Sequence, residues 1–475
     1  MATADVRAVA AGADGQVVGE ARRALPAPTA PRAGCWEQDA RSWWPAVAGA
    51  LKDVTDGLGA GRGVVAVCVC ATSGTVVALD HLGEPLGPAL TYADQRATTE
   101  ADVAQAAGAA RWSGLGLRVQ ASFGLPKWAW LLSQPGGAGA IAALAHAPDL
   151  IVRRLVGGGR GPVVTDWSHA LKSGYDPVRR EWAWEAMEAL GIGAELLADV
   201  RRPTSSAGTV GREAAAATGL PVGCQVRLGM TDSCASQLAA GADRPGRFVS
   251  VLGSTLVLKG ASRDLVVDPA GAVYSHRHPD GWWLPGGASS TGGRVLAVAF
   301  PGQAPADLDA AAERHGPATG VVYPLVGRGE RFPFAAPDAE GFVVSEPTGE
   351  TDRVRAVLEG VAFVERLGYE RLAALGAPCV PPVVVTGGGS TSPVWNRIRA
   401  TVLGVPLLAT PGATTALGAC ILAAAGTLHP DLAAASAAMS AGGQPVDPDD
   451  AERDRMEANY RRFRAAVVDR GWITG

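Results

Sequence analysis

A chain of 475 residues is too long for one ordinary hydrophobic core, and its length predicts two or three domains, with two large α/β lobes around a central cleft. Charged residues are 19% of the total against 47% hydrophobic and the net charge is −4, which excludes a nucleic-acid footprint and a disordered acidic tail and leaves a small-molecule substrate. Seven scattered cysteines exclude a disulfide framework, and there is neither a basic leader ahead of an apolar core nor a run of ~20 apolar residues, so a soluble protein of the reducing cytoplasm is expected.

In chain order, residues 6–10 and 17–20 flank Asp14-Gly15 and predict a β-hairpin. Trp36 precedes a helix that reaches Leu58, with Gln38 and Asp39 in its first turn. Residues 64–70 are a continuous apolar strand ending in Ala71-Thr72-Ser73-Gly74-Thr75, where small hydroxyls cluster, and a further hairpin follows over 76–91. Residues 122–132 predict a helix on which Lys127 faces either solvent or a cleft. Residues 165–176 read as a polar, aromatic-bearing loop. Cys68 and Cys70 share a strand face, as do His276 and His278, but neither pair has the further ligands that zinc requires, so no metal site is assigned to them.

The stretch 229–260 is the most informative. A short strand runs into Gly229 and a helix rich in Ala and Leu begins at Ser233, so Asp232 sits where a strand ends and a helix starts. There it serves as an N-cap, as a catalytic carboxylate, or as both. Residues 248–252 and 256–259 are strands around a Gly253-Ser254-Thr255 tip, whose amides and hydroxyls suit phosphate oxygens, although most such tips bind nothing. Farther on, a Gly-rich turn follows 282–284, residues 327–337 read as a turn-rich loop, and 351–375 as a long amphipathic helix. A buried strand at 383–386 then enters Gly387-Gly388-Gly389, with Ser392 placed to cap the next helix and Pro393 at its first position. These glycines either admit a flat ligand or only make the turn tight. Residues 450–470 close the chain as a surface helix. The predicted boundaries are 1–243, 244–428 and a helical tail, 429–475.

Taken together and in this order, GMTDSCASQLAAG, VSVLGSTLVLKG, LPGGASSTGG and VVVTGGGSTSPVWNRIRATVLG resemble the FGGY family of carbohydrate kinases, closest to its D-ribulose kinase and xylulokinase-like branch. The likeness extends over nearly the whole chain and takes in ATSGTVVALD, YADQR and TDWSHALKSGYDP. It implies two ribonuclease-H-like lobes of the actin and sugar-kinase type, with the sugar on the first lobe and MgATP on the second. Position by position, the resemblance makes Asp232 the general base toward the sugar hydroxyl. Ser73 contacts the sugar, joined by Thr72, Trp36 and Lys127. Gly253, Ser254 and Thr255 meet the β- and γ-phosphates, Gly287, Thr291 and Gly292 lie beside the ribose and phosphates, and Gly388, Gly389 and Ser392 form the adenosine pocket. A ketopentose such as D-ribulose or D-xylulose is the implied substrate, with ATP and Mg2+, and a monomer or homodimer is expected, with no nucleic-acid or membrane partner.

One departure stands out. The family opens on a strand ending in an Asp-x-Gly-Thr loop; here Thr3 and Arg7 match that loop, Ala2 replaces its glycine, and its aspartate falls ahead of Met1. The expectation is a start codon placed too far downstream, with an in-frame upstream stretch encoding an apolar strand ending in Asp, and a chain that is poorly soluble and slow without it. A catalytically silent binder of sugar or nucleotide is the alternative, and an actin-like ATPase the third.

Overall fold

The computed structural model describes residues 1–59, 63–157 and 161–474. The chain folds as two compact units. The first comprises Met1–Ala239 with His276–Gly281 and Thr414–Ser440; the second comprises Ala240–Ser275, Trp282–Ala413 and the chain from Ala441 onward. The first unit thus ends its long segment before the expected 243 and takes back two later helices, Thr415–Ala424 and Leu432–Met439. Residues 429–475 are no separate tail but are divided between the units at Ser440.

In the first unit, β1 (Asp5–Ala11) and β2 (Val17–Ala24) pair antiparallel around the Asp14-Gly15 turn. Helix α1 (Trp43–Gly57) buries Trp43, Val47, Ala50 and Val54, spaced for one helical face. Gln38 is not in a first helical turn: it lies in a short strand, and its side chain accepts from the Trp43 indole at 3.0 Å. Next come β3 (Ala66–Ala71), β4 (Val76–Leu79), β5 (Ala89–Leu90), α2 (Gly124–Ser133), β6 (Ala143–His146), α3 (Ala147–Gly157), β7 (Val164–Asp166), β8 (Ser206–Thr209), β9 (Gln225–Thr231) and α4 (Asp232–Ala239). Strand β9 lies between β8 and β3, parallel to β3, with Ala71 opposite Thr231, so the two strands end side by side. Strand β4 pairs with β5 and β6.

The second unit is built on a sheet that holds β10 (Phe248–Leu252), β11 (Leu256–Gly260), β12 (Trp283–Ala288), β15 (Val383–Thr386), β16 (Leu407–Ala409) and β17 (Gln444–Val446) in the order β12-β11-β10-β15-β16-β17. Between β12 and β15 the chain forms the β13 (Val321–Glu330) and β14 (Ala336–Ser345) hairpin, in place of the expected loop over 327–337. Helix α5 (Glu350–Ala374) then runs through the core, and α6 (Pro393–Leu403) packs beside it. The last helix, α7 (Asp450–Asp469), is more than a surface helix: Met456, Tyr460, Phe463 and Val467 are all buried in that core. Beneath the sheet, Arg399 and Glu365 form a fully buried ion pair at 2.7 Å, with Arg399 also donating to the Ser250 hydroxyl.

Candidate active site

Asp232 opens α4 directly at the carboxyl end of β9. Its Oδ1 accepts from the Ser233 amide at 2.6 Å, and its carbonyl accepts from the Thr415 hydroxyl at 3.1 Å. Because Ala71 stands opposite Thr231, Thr72 and Ser73 emerge from β3 next to Asp232, at the edge where open α/β sheets bind ligands. Two buried hydroxyls here, Ser73 Oγ and Thr231 Oγ1, have no hydrogen-bond partner in the structure. Buried polar atoms are normally satisfied, so the pair marks a place for a ligand rich in hydroxyls.

The two strand ends are held in register by groups taken from the stretch read as a polar loop. That stretch is buried, and its charges satisfy one another. Asp166 Oδ1 accepts from the Ser168 hydroxyl at 2.6 Å, and Ser168 Oγ in turn accepts from the Thr231 amide at 3.0 Å. Asp166 Oδ2 pairs with His169 Nδ1 at 2.5 Å, while His169 Nε2 donates to the Ala71 carbonyl at 3.1 Å. One carboxylate therefore fixes the residues that precede both Ser73 and Asp232. Burial alone would lower the His169 pKa, but the Asp166 charge outweighs it and raises His169 to about 9, while Asp166 is held below its usual value. The imidazolium's stabilising effect is complete below its unfolded pKa of ~6.5 and is lost as pH climbs through about 9. Melting curves should therefore show the Tm gap between the native protein and His169→Gln narrowing from pH 6.5 to pH 9.5; a constant gap would contradict a charged His169.

Lys127 faces neither solvent nor a cleft. It is fully buried, and its ammonium donates to the carbonyls of Gly74 (2.9 Å) and Thr91 (2.6 Å), with burial lowering its pKa to about 7. It clamps the loop that carries Thr72 and Ser73. Trp36 is 40% exposed, and its amide donates to the buried Asp94 at 2.6 Å. Thr3 belongs to the first unit, its carbonyl accepting from Gln38 at 2.7 Å; the other nucleotide candidates belong to the second.

In the second unit three separated segments meet. The Gly253-Ser254-Thr255 tip joins β10 to β11, and the Gly293 amide donates to the Gly253 carbonyl at 2.8 Å while the Arg294 amide donates to Ser254 at 3.1 Å. A Cβ on Gly292 would lie 2.5 Å from Thr255 backbone, so only glycine permits this approach. Strand β15 pairs with β10, and its following Gly387 turn lies against Leu252. Gly388 at that turn is exposed and has open space where a side chain would stand. The 253–255 tip and the 292–294 segment are thus joined by backbone hydrogen bonds, and the Gly387 turn packs against Leu252 at the end of β10.

Other members of the expected set are engaged elsewhere. Gly287 lies inside β12, and a Cβ there would meet the Phe332 ring at 2.2 Å, so its missing side chain accommodates packing. Ser392 caps α6, accepting from the Trp395 amide at 2.9 Å and donating to Asp309 at 2.7 Å. The Thr291 hydroxyl donates to Glu330 at 3.0 Å. Glu330 is the residue that sequence reasoning missed. Buried at the end of β13, it also accepts from the Ser289 hydroxyl (2.9 Å), the Ser290 amide (2.6 Å) and the Tyr323 hydroxyl (2.8 Å), and so shapes the 289–292 loop. Gln at this position keeps the size but loses one acceptor oxygen. Glu330→Gln should raise KM for ATP about tenfold, equal to ~1.4 kcal/mol, with the sugar KM unchanged in steady-state kinetics.

Among the described residues no three His, Cys, Asp or Glu side chains cluster as a metal site, and no helix is long and apolar enough to cross a membrane.

The N-terminal domain of the FGGY family of carbohydrate kinases matches residues 1–239 and its C-terminal domain residues 248–427. A xylulose kinase of Streptomyces coelicolor is 30% identical over 446 residues, covering 91% of this chain and 88% of that protein. A gluconokinase of Bacillus subtilis is 24% identical, covering 73% and 71%. Among solved structures, a xylulose kinase from Rhodospirillum rubrum superposes with a TM-score of 0.86 at 28% identity, covering 98% of this chain and 97% of that one. The chain belongs to the FGGY family of carbohydrate kinases, two-domain enzymes of the actin and hexokinase fold that transfer a phosphoryl group to a sugar hydroxyl.

Proposed function

We propose that the protein phosphorylates a ketopentose, D-xylulose or D-ribulose, with ATP as donor and Asp232 as general base. The observation that carries this reading is the carboxylate of Asp232 at the end of β9 beside two unpartnered buried hydroxyls, Ser73 Oγ and Thr231 Oγ1. The similarity to a xylulose kinase over most of both chains supports the pentose, and the more distant gluconokinase sets the competing class. Asp232 accepts the proton of the sugar hydroxyl as that oxygen attacks the γ-phosphorus; ADP leaves with the electron pair of the broken bond. Ser73 and Thr72 orient the sugar, and the 253–255 tip and the Gly387–Gly389 turn receive the nucleotide. Magnesium bound with ATP would neutralise charge on the β- and γ-phosphates.

The test is ADP release with ATP, magnesium and a panel of D-xylulose, D-ribulose, L-xylulose, L-ribulose, gluconate and glycerol. The highest kcat/KM is expected with D-xylulose or D-ribulose. Gluconate or glycerol in first place would overturn the substrate class. Sugar-independent ADP release would indicate a plain ATPase, and binding without turnover a silent binder.

A further inference from the structure

Arg399 on α6 and Glu365 on α5 are both fully buried in the second unit, and the guanidinium Nε and Nη2 donate to the two carboxylate oxygens at 2.7 and 2.9 Å. Measured against apolar side chains of the same volume, a buried ion pair adds little net stability, because the loss of hydration offsets the attraction. Its consequence therefore lies in where the remaining N–H groups point. Nη2 also donates to the Ser250 hydroxyl at 2.8 Å, and Nη1 donates to Asn396 Oδ1 at 3.3 Å. Asn396, one helical turn earlier on α6, extends the chain of bonds: its Nδ2 donates to the Ser390 carbonyl at 2.7 Å, and the Ser390 hydroxyl donates to the Gly387 carbonyl at 2.7 Å.

The two ends of this chain are the two segments assigned to the nucleotide. Ser250 lies on β10, whose last residue, Leu252, leads into the 253–255 tip, and Ser390 follows directly on the Gly387–Gly389 turn. The β10–β15 ladder ends with Val251 opposite Thr386, before either the tip or the turn begins. Arg399 carries the connection past that point. We propose that Arg399 is a positioning residue for the nucleotide, fixing the 253–255 tip and the Gly387–Gly389 turn at the spacing that one ATP molecule needs to reach both. The inference rests on the reading above, with the phosphates at the tip and the adenosine at the turn. Arg399 itself touches no substrate; it acts on the tip through Ser250 and on the turn through Asn396. A ligand that spans both segments is sensitive to their spacing, whereas one that occupies the turn alone is not.

Calorimetry on the variant that combines Glu365→Met with Arg399→Met tests this. Two methionines fill the space without leaving a buried charge unpaired, so the fold should survive with little change in Tm. The Kd for ATP should rise about tenfold and that for adenosine by less than about twofold, because Asn396 still holds Ser390. A pair that serves the core alone would leave both affinities unchanged, and one whose loss collapses the site would weaken both alike; either result would overturn the proposal. If the double variant does not fold, Asn396→Ala decides: the amides of residues 388–391 should exchange about tenfold faster than in the native protein, and native exchange rates there would overturn the proposal. Gly388→Val separates this inference from the reading beneath it. ATP binding blocked in Gly388→Val but normal in the double variant would leave the nucleotide turn in place and remove Arg399 from its positioning. Native ATP affinity in Gly388→Val would overturn the turn's assignment and the proposal with it.

Discussion

Asp232→Asn is expected to lower kcat by about 10²–10⁴ while ATP affinity stays near that of the native protein, the range for removing a positioned general base. The structure makes this substitution a clean one. Asp232 Oδ1 accepts from the Ser233 amide at the first turn of α4, and an asparagine amide oxygen caps a helix about as well as a carboxylate does. The bond from the Thr415 hydroxyl goes to the backbone carbonyl and is untouched by the change. Folding should therefore survive, with Tm within a few degrees of the native value. Single-turnover measurement of ADP formation at saturating ATP and sugar separates the outcomes. A large fall in rate in a fully folded variant supports proton removal by Asp232. A variant that unfolds would make residue 232 a structural cap, and a folded variant of normal rate would move the base elsewhere.

How much of this was legible depended on whether the partners were local. The Asp14-Gly15 hairpin, the Ser392 cap followed by Pro393, and the long helix α5 are signals contained within a few residues, and each formed where the sequence placed it. Asp232 was legible for the same reason, since a strand end and a helix start flank it. The buried groups that organise the site were not. Asp166 and His169 lie in a stretch whose polarity signals a surface loop, and they are buried because they neutralise each other while His169 reaches Ala71 and Asp166 reaches Thr231 through the Ser168 hydroxyl. Glu330 takes its partners from residues 289–291 and from Tyr323, and Gly327 and Gly329 beside it gave the pattern of a turn although β13 continues through them. Helix α7 is a different case. Its Met456, Tyr460, Phe463 and Val467 repeat at spacings of four, three and four residues, a buried stripe that was present in the sequence but obscured by abundant charge.

Gly388→Val should raise KM for ATP by about 10² or more, equal to at least ~2.7 kcal/mol, without changing the sugar KM. The three consecutive glycines differ in what surrounds them, which makes the middle one diagnostic. Gly387 has φ +85°, and a Cβ there would stand 2.7 Å from the Leu252 carbonyl oxygen, so any side chain strains the backbone and displaces β10. At Gly389 the Cβ would meet the Leu252 side chain at 2.5 Å. Gly388 alone has no atom within 4 Å of its Cβ position and is exposed, so valine there costs the fold little and projects into the space proposed for the nucleotide. Gly387→Val should accordingly lower Tm sharply, whereas Gly388→Val should keep the native Tm and fail to bind ATP in calorimetry. Native ATP affinity in Gly388→Val would remove the Gly387–Gly389 turn from the nucleotide site. Loss of fold in both variants would place all three glycines in the architecture of the β15 to α6 turn, leaving the 253–255 tip and the 289–292 loop to hold the phosphates.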